Sequence, residues 1–330
     1  MHASSCSKCR KEPPVYFRQY SGERLCKKCF VRSVEEKAAR TISKYSMIRY
    51  GERVAVGVSG GKDSLSLLYV LKKFFDEHGR NGQEDLVAVT IDEGIAGYRD
   101  ESLAIVSEFC GRLGVESKIL SYKDLFGVSM DEAMVARPPE KKMSSCSICG
   151  TFRRRAIDLA AESVGASVVA TAHNLDDQLQ TFMINLLAGD VERIGWIHPQ
   201  PVEYAGGGMK KVKPFVELYE HEIAFYALQR DIPFQSEECP YMHESIRTDL
   251  REFFNRMEKE HPGIKNNAYA SMTKISEKLR ASPAEPRGEN RKCALCGRDA
   301  TGKVCSVCLT AGALASSSAA AAGRKKDGAF

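Results

Sequence analysis

The heptapeptide VSGGKDS at residues 58–64 constrains this chain more than any other feature, because it joins an apolar run at 53–58 to a helix-like apolar run at 65–75. A strand, a tight loop and a helix follow one another there. Gly60 and Gly61 permit positive φ and close backbone approach, Ser59 and Ser64 bring hydroxyls, and the helix start leaves its first N–H groups without partners. Such a loop is an anion nest at the positive end of a helix. Lys62 follows the glycine pair directly and Asp63 separates it from the serine, so the Walker spacing G-x-x-x-x-G-K-[ST] is not met.

Apolar runs at 86–91, 116–120 and 167–171 alternate with an amphipathic pattern at 100–113 and with a helix that carries Leu179, Phe182, Met183, Leu186 and Leu187. This alternation predicts an α/β unit built on a parallel sheet. Ligands of such sheets lie beyond the carboxyl ends of the strands. That rim collects the 58–64 loop, Ile91 and Asp92 of the segment IDEG, and His173 and Asp177 of AHNLDDQ. His173 serves equally well as a capping or core histidine, and acidic residues such as Asp176 and Asp177 can stabilise a helix start without any catalysis, a role sufficient for one of the two. Residues 187–214 lose the pattern and read as a surface loop or hairpin, with three glycines at 206–208. Helices are expected again at 220–230 and 246–260, the second stopped by His261-Pro262-Gly263.

The chain has 330 residues and twelve cysteines, no eighteen-residue apolar run, and no hydrophobic signal region in MHASSCSKCRKE. A soluble, cytoplasmic protein without membrane contact is expected, with thiols used for metal binding or catalysis. Cys6 and Cys9 are followed, after sixteen residues, by Cys26 and Cys29; Cys293 and Cys296 are followed, after eight, by Cys305 and Cys308. Each set reads as a four-thiolate zinc module, giving two Zn²⁺ per chain, and the metal supplies folding free energy that segments this short cannot gain by burial. Lys27, Lys28, Arg291, Lys292 and Arg298 flank these structural ligands and offer a second role in contacting RNA. The net charge is +5, with basic clusters at 153–155 and in MKKVKP; clustered charge suits a polyanion, although charge runs are also ordinary solvated faces. The expected organisation is a zinc finger at 1–33, a connecting helix at 34–50, the α/β domain with a helical extension at 51–280, a second finger at 288–310 and a disordered, low-complexity tail at 311–330.

Four cysteines remain. Cys110 falls on an apolar face with Val106, Phe109 and Leu113 and reads as a small core residue. Cys146 and Cys149 open a helix that continues into Arg153, Arg154 and Arg155, and Cys239 lies in EECPY. A helix start and nearby arginines favour thiolates. The residues alone leave three readings open: a third zinc site completed by His173 or His243, a redox pair, or three thiolates on an iron–sulfur cluster with one iron open.

The loop SGGKDS resembles that of the PP-loop ATP pyrophosphatase superfamily, whose members split ATP into AMP and pyrophosphate while adenylating a substrate. With CSICGTFRRR, TAHNLDDQ, Cys239 and the paired CxxC modules at both ends, residues 1–310 resemble the archaeal and eukaryotic cytosolic tRNA 2-thiouridine synthetases, relatives of the tRNA 2-thiocytidine enzymes. The resemblance implies an adenine nucleotide alpha hydrolase-like PP-loop domain between two zinc fingers, working as a homodimer on tRNA. ATP is then expected at Val58, Ser59, Gly60, Gly61, Lys62, Asp63 and Ser64, with its base near Ile91 and Asp92 and with Mg²⁺ partnered by Asp63. Position adds Arg154, His173 and Asp177 to the same rim. Cys146, Cys149 and Cys239 match the family's three cluster cysteines, which implies a [4Fe-4S] cluster with one iron open to hydrosulfide, or the persulfide chemistry described for some relatives. The sulfur donor is expected to be free sulfide or a ubiquitin-like protein thiocarboxylate. Two other functions use some of the same parts: amidation by another superfamily enzyme, which needs no three-cysteine site, and RNA binding by a non-enzymatic zinc-finger protein, which needs no intact SGGKDS.

Overall fold

The computed structural model describes residues 5–80, 84–137, 143–201, 209–241, 246–281, 291–300 and 302–324. The chain opens with a hairpin, β1 (Tyr16–Arg18) and β2 (Glu23–Leu25), antiparallel with Tyr16 opposite Leu25. The first helix, α1 (Lys27–Lys44), follows at once. Expected at 34–50, it instead starts inside the cysteine module, with Cys26 as its N-cap. Phe30, Val34, Ala38 and Ile42 recur every four residues and are all buried, so the apolar stripe that drives the helix reaches back to the cysteines.

Strands and helices then alternate through β3 (Val54–Gly57), α2 (Lys62–Glu77), β4 (Leu86–Asp92), α3 (Arg99–Leu113), β5 (Glu116–Ser121), the short α4 (Tyr122–Phe126) and α5 (Met130–Val135), α6 (Ser145–Ser163), β6 (Val168–Ala170), α7 (Leu175–Leu187), α8 (Val191–Gly195) and β7 (Lys210–Val212). The sheet order is β5-β4-β3-β6-β7, and every neighbouring pair is parallel, as the alternation predicted. The chain leaves β3 toward β4 but returns to pair β6 on its other side, so the topological switch point lies at the starts of α2 and α7. Successive residues serve opposite faces: Val54 and Val56 join one core with α1 and α2, whereas Ala55, Val87 and Val89 join another with α6.

Residues 187–214, expected to be loop or hairpin, supply α8 and the fifth strand. β7 escapes the apolar pattern because it is three residues long and two of them are lysines. Lys210 is buried there with its ammonium on Glu52, 2.6 Å away. The glycines at 206–208 lie outside the described residues.

Beyond the sheet come α9 (Glu220–Gln229), α10 (Arg247–Glu260), α11 (Ile264–Ala281), the pair β8 (Arg291–Lys292) and β9 (Asp299–Ala300), and α12 (Ser306–Arg324). The segment expected to be disordered from residue 311 is thus helical to Arg324. Alanine is the strongest helix former, and Leu314 is buried in the core that α6 lines. Among the described residues, no helix is long and apolar enough to cross a membrane.

Both cysteine modules are docked on the α/β unit. Arg18 places Nε 2.7 Å from Oε1 of the fully buried Glu222 on α9 and also bonds Ser33 and Glu23. At the other end, the exposed Arg298 meets Glu162 of α6 at 2.9 Å. Glu222→Ala leaves the buried Arg18 guanidinium with only the partly exposed Glu23 as counter-charge and is expected to cost about 3 kcal/mol, whereas Arg298→Ala should cost about 0–1 kcal/mol. Urea unfolding of the two variants checks the contrast.

Candidate active site

The N–H of Val58 donates to the carbonyl of Val89 at 2.9 Å, so the sheet holds the entry to the glycine loop. Gly60 has a φ of 89°, and a Cβ there would fall 2.7 Å from Ser102 Cβ. Conformation and space both demand glycine. Gly61 is the N-cap of α2 and makes no side-chain capping bond, which leaves the first-turn N–H groups to an anion. Ser64 Oγ accepts from the Ser59 N–H and donates to the Gly61 carbonyl, each at 3.0 Å, so the loop is shaped without a ligand. The buried Arg99 adds two ties, Nη1 to the Ser59 carbonyl at 3.0 Å and Nη2 to the Ile91 carbonyl at 2.7 Å.

Charged groups of both signs stand at the start of α2. Lys62 Nζ lies 3.0 Å from Glu220 Oε1 and 3.5 Å from Asp63 Oδ1. Burial works against its charge, and Asp63 and Glu220 outweigh that effect, so the ammonium is held above its ordinary value. Asp63 Oδ2 accepts from Asn174 Nδ2 at 3.3 Å. Burial pushes Asp63 up to about 7; Lys62 opposes this, and Glu220 and Asp177 add to it. Asp177 closes a capping box with Asn174 at the start of α7, and burial raises its carboxyl as well. Asp176 turns the other way: its Oδ2 accepts from the Glu220 N–H at 2.8 Å and its Oδ1 receives the ammonium of Lys265 from α11. The aspartates of AHNLDDQ therefore divide their duties, Asp177 toward Asp63 and Asp176 toward the C-terminal helices.

The cysteine group lies on the same rim. Cys146 is exposed in the first turn of α6, and Cys149 and Cys239 are half-buried against one apolar cluster. Arg153 Nη2 donates to Cys149 Sγ at 3.3 Å, and the buried Tyr122 donates its hydroxyl to the Cys149 carbonyl at 2.9 Å. Burial pushes the Cys239 thiol up, with Cys149 adding and Arg153 opposing. The two terminal modules differ in spacing. Their four sulfurs gather within 4.8 Å of one another, and the three cysteines of the rim do not. Pairs at 3.7 Å (Cys9–Cys26) and 3.8 Å (Cys296–Cys305) match the edge of a tetrahedron with Zn–S bonds of about 2.3 Å. Cys110 is a buried thiol pushed up to about 11 by burial alone, as a core residue should be.

The remaining expected residues fall as follows. Val58 and Ile91 are buried at their strand ends, and Asp92 Oδ1 accepts from the Gly94 N–H at 2.8 Å. His173 is exposed on the rim with Nδ1 2.8 Å from Thr171 Oγ1; crowding by the surrounding protein and the charges of Lys213, Arg247 and Arg153 lower its imidazole from the ordinary value. Arg154 turns toward Gly150 and feels Arg193, whereas its neighbour Arg153 reaches Cys149. His243 lies outside the described residues. Sequence reasoning did not single out Arg99, Glu220, Lys213 or Lys265, which act across long chain separations. Arg153 had a signal, since it follows Cys149 by four residues and shares its helix face.

Asp63 gives a pH test. Its carboxyl titrates near 7 in the folded protein and at roughly 4 in the unfolded chain, so the stability it contributes is present below about 4 and is lost as pH rises through 7. Asp63→Asn is expected to raise the Tm of ligand-free protein at pH 8 and to leave it little changed at pH 4, as calorimetry would show.

Comparison with known proteins identifies the family. Residues 32–257 match the PP-loop domain family, and residues 5–31 match the N-terminal LIM domain of the 2-thiouridine synthetase TtuA. The chain is 34% identical over 319 residues to the tRNA 2-thiolation protein NcsA of Haloferax volcanii, spanning 92% of this chain and 97% of the relative. It is likewise 34% identical to cytoplasmic tRNA 2-thiolation protein 1 of Saccharomyces cerevisiae, spanning 92% and 84% of the two chains. Among solved structures it superposes on the U34-tRNA thiolase NcsA of Methanococcus maripaludis, with its [4Fe-4S] cluster, at a TM-score of 0.78 and 28% identity over 94% of this chain and 96% of the other. The chain thus belongs to the PP-loop family of tRNA 2-thiolation proteins.

Proposed function

We propose that this protein is an ATP-dependent tRNA sulfurtransferase that converts a tRNA uridine to 2-thiouridine. The observation that carries this reading is the shared rim: the anion nest of the 58–64 loop and the group Cys146, Cys149 and Cys239 stand at the same edge of one sheet. A uridine C2 carbonyl has a poor leaving group, and adenylation corrects that. The C2 oxygen attacks the α-phosphorus of ATP, the bond to pyrophosphate breaks, and N3 gives up its proton. Hydrosulfide then attacks C2, the C2–O bond breaks with the oxygen departing in AMP, and the sulfur's proton passes to N3.

The chain's own groups are placed to assist each step. Main-chain N–H groups of the loop and of the first turn of α2, with Ser59 and Ser64, hold phosphate, and Lys62 neutralises it. Val58, Ile91 and Asp92 border the base. Asp63, with Asp177 and Glu220 close by, offers the carboxylates that Mg²⁺ needs, and their mutual repulsion in its absence fits that duty. A neutral His173 and the cations Lys213 and Arg154 line the entry for the tRNA.

Cys146, Cys149 and Cys239 would hold a [4Fe-4S] cluster; they offer three soft thiolates, spaced more widely than a single zinc ion requires. Bound there, the cluster supplies an iron with an open position for sulfide. Zinc on Cys6, Cys9, Cys26 and Cys29 and on Cys293, Cys296, Cys305 and Cys308 completes the metal complement, in a cytoplasmic homodimer fed by sulfide or a ubiquitin-like thiocarboxylate.

Anaerobic thiolation of unmodified tRNA, followed by mass spectrometry of the nucleosides, tests the reading. Cys146→Ala, Cys149→Ala and Cys239→Ala are each expected to abolish 2-thiouridine while ATP binding stays intact. Full activity in Cys239→Ala, or in iron-free protein, would overturn the three-thiolate site.

A further inference from the structure

Glu93 belongs to neither the nucleotide loop nor the cysteine group, yet it touches both through arginines. It is 3% exposed and takes a guanidinium on each oxygen: Arg99 Nε at 2.8 Å from Oε2 and Arg153 Nη2 at 2.9 Å from Oε1. A buried carboxylate demands such pairing. The two arginines are held differently. Arg99 is 5% exposed and spends its terminal nitrogens on the Ser59 and Ile91 carbonyls, so it cannot follow a moving partner. Arg153 is 48% exposed, and the nitrogen that meets Glu93 is the same one that donates to Cys149 Sγ at 3.3 Å. That nitrogen donates to the sulfur and stands in ion-pair contact with the carboxylate.

We propose that Glu93 is a positioning residue for sulfur transfer: its carboxylate holds Arg153 against the Cys149 sulfur and, through Arg99, fixes that contact to the nucleotide loop. The proposal rests on the thiolase reading above. Its chemical content is a charge-assisted N–H···S bond on one cluster ligand, the kind of bond that sets the electronic properties of an iron–sulfur site. The backbone keeps Glu93 in place. Its carbonyl accepts from the Met130 N–H at 2.7 Å, and the next residue, Gly94, has a φ of 68° with Ser129 where a Cβ would stand. A separate tie runs parallel to this one: Gln235, four residues before Cys239, donates its N–H to the Gly60 carbonyl at 3.0 Å. The loop that would hold ATP and two of the three thiols are thereby joined through hydrogen bonds at Ser59, Gly60, Ile91 and Cys149 and through the ion pairs of Glu93.

The test is a double-mutant cycle on cluster-reconstituted protein with Glu93→Gln, Arg153→Ala and the two combined, after iron and sulfide analysis and a thermal melt. The electron paramagnetic resonance spectrum of the reduced cluster and the ATP dissociation constant are read beside thiolation rates. The three variants are expected to share one altered spectrum, to lose kcat by roughly tenfold or more without summing in the double, and to bind ATP within about twofold of wild type. A wild-type spectrum in Glu93→Gln, or losses that add, overturns the proposal. Should Glu93→Gln fail to fold, Arg153→Ala decides alone: an altered spectrum with ATP binding kept supports it, and a wild-type spectrum overturns it. Wild-type protein that carries its full cluster yet makes no 2-thiouridine would instead refute the thiolase reading, and the spectra would still decide on Glu93.

Discussion

The unpartnered N–H groups at the start of α2 set terms for much of the molecule. They can meet an anion only if the preceding strand ends at the right height, if the loop turns back without a side chain at Gly60, and if no capping residue reaches them first. The parallel sheet satisfies the first condition, and Ser102 of α3 enforces the second by filling the space beside Gly60. Gly61 satisfies the third. Because parallel strands all end on one edge, the same constraint gathers Ile91, His173 and Lys213 around the nest, though they are far apart in the chain.

Buried ion pairs then fix what surrounds that edge. Arg18 with Glu222 seats the first cysteine module, Lys210 with Glu52 seats a strand too polar to be held by burial, and Arg99 with Glu93 seats the end of β4. Such pairs add little net stability compared with apolar residues of the same size, but a single missing partner is severe. Their effect is therefore on arrangement more than on stability. Each admits one placement of a peripheral element and penalises the alternatives.

The central fold was legible because local patterns encode it. Val54, Val56 and their counterparts in β4 and β6 form uninterrupted apolar runs, the glycine loop has a fixed order, and the paired CxxC spacings point to four-thiol modules without any tertiary information. What stayed hidden depends on distant partners. β7 carries two lysines, and only Glu52, 158 residues away, makes burial of Lys210 tolerable. The arginine run at 153–155 gives no hint of which member reaches a sulfur until helix phase and the position of Glu93 are known. The alanine-rich end looked disordered on composition, and alanine's helix preference carries on the helix that Leu314 anchors in the core lined by α6. At the candidate site, the loop and the thiols could be named from sequence, whereas the charges that orient them, Arg99, Glu93 and Glu220, could not.

The pairing of Lys265 with Asp176 has a consequence for where this enzyme domain ends. The recognisable PP-loop sequence stops at residue 257. Yet the lysine that neutralises one of its motif aspartates lies on α11, beyond that boundary, and is itself held by Asn255. A fragment cut at the end of the sequence family would keep every residue of the 58–64 loop and still leave the buried Asp176 with a main-chain N–H but no counter-charge. The family match and the electrostatic unit are thus different lengths, and α11, which looks like an appendage in the sequence, supplies the counter-charge for an aspartate at the start of α7.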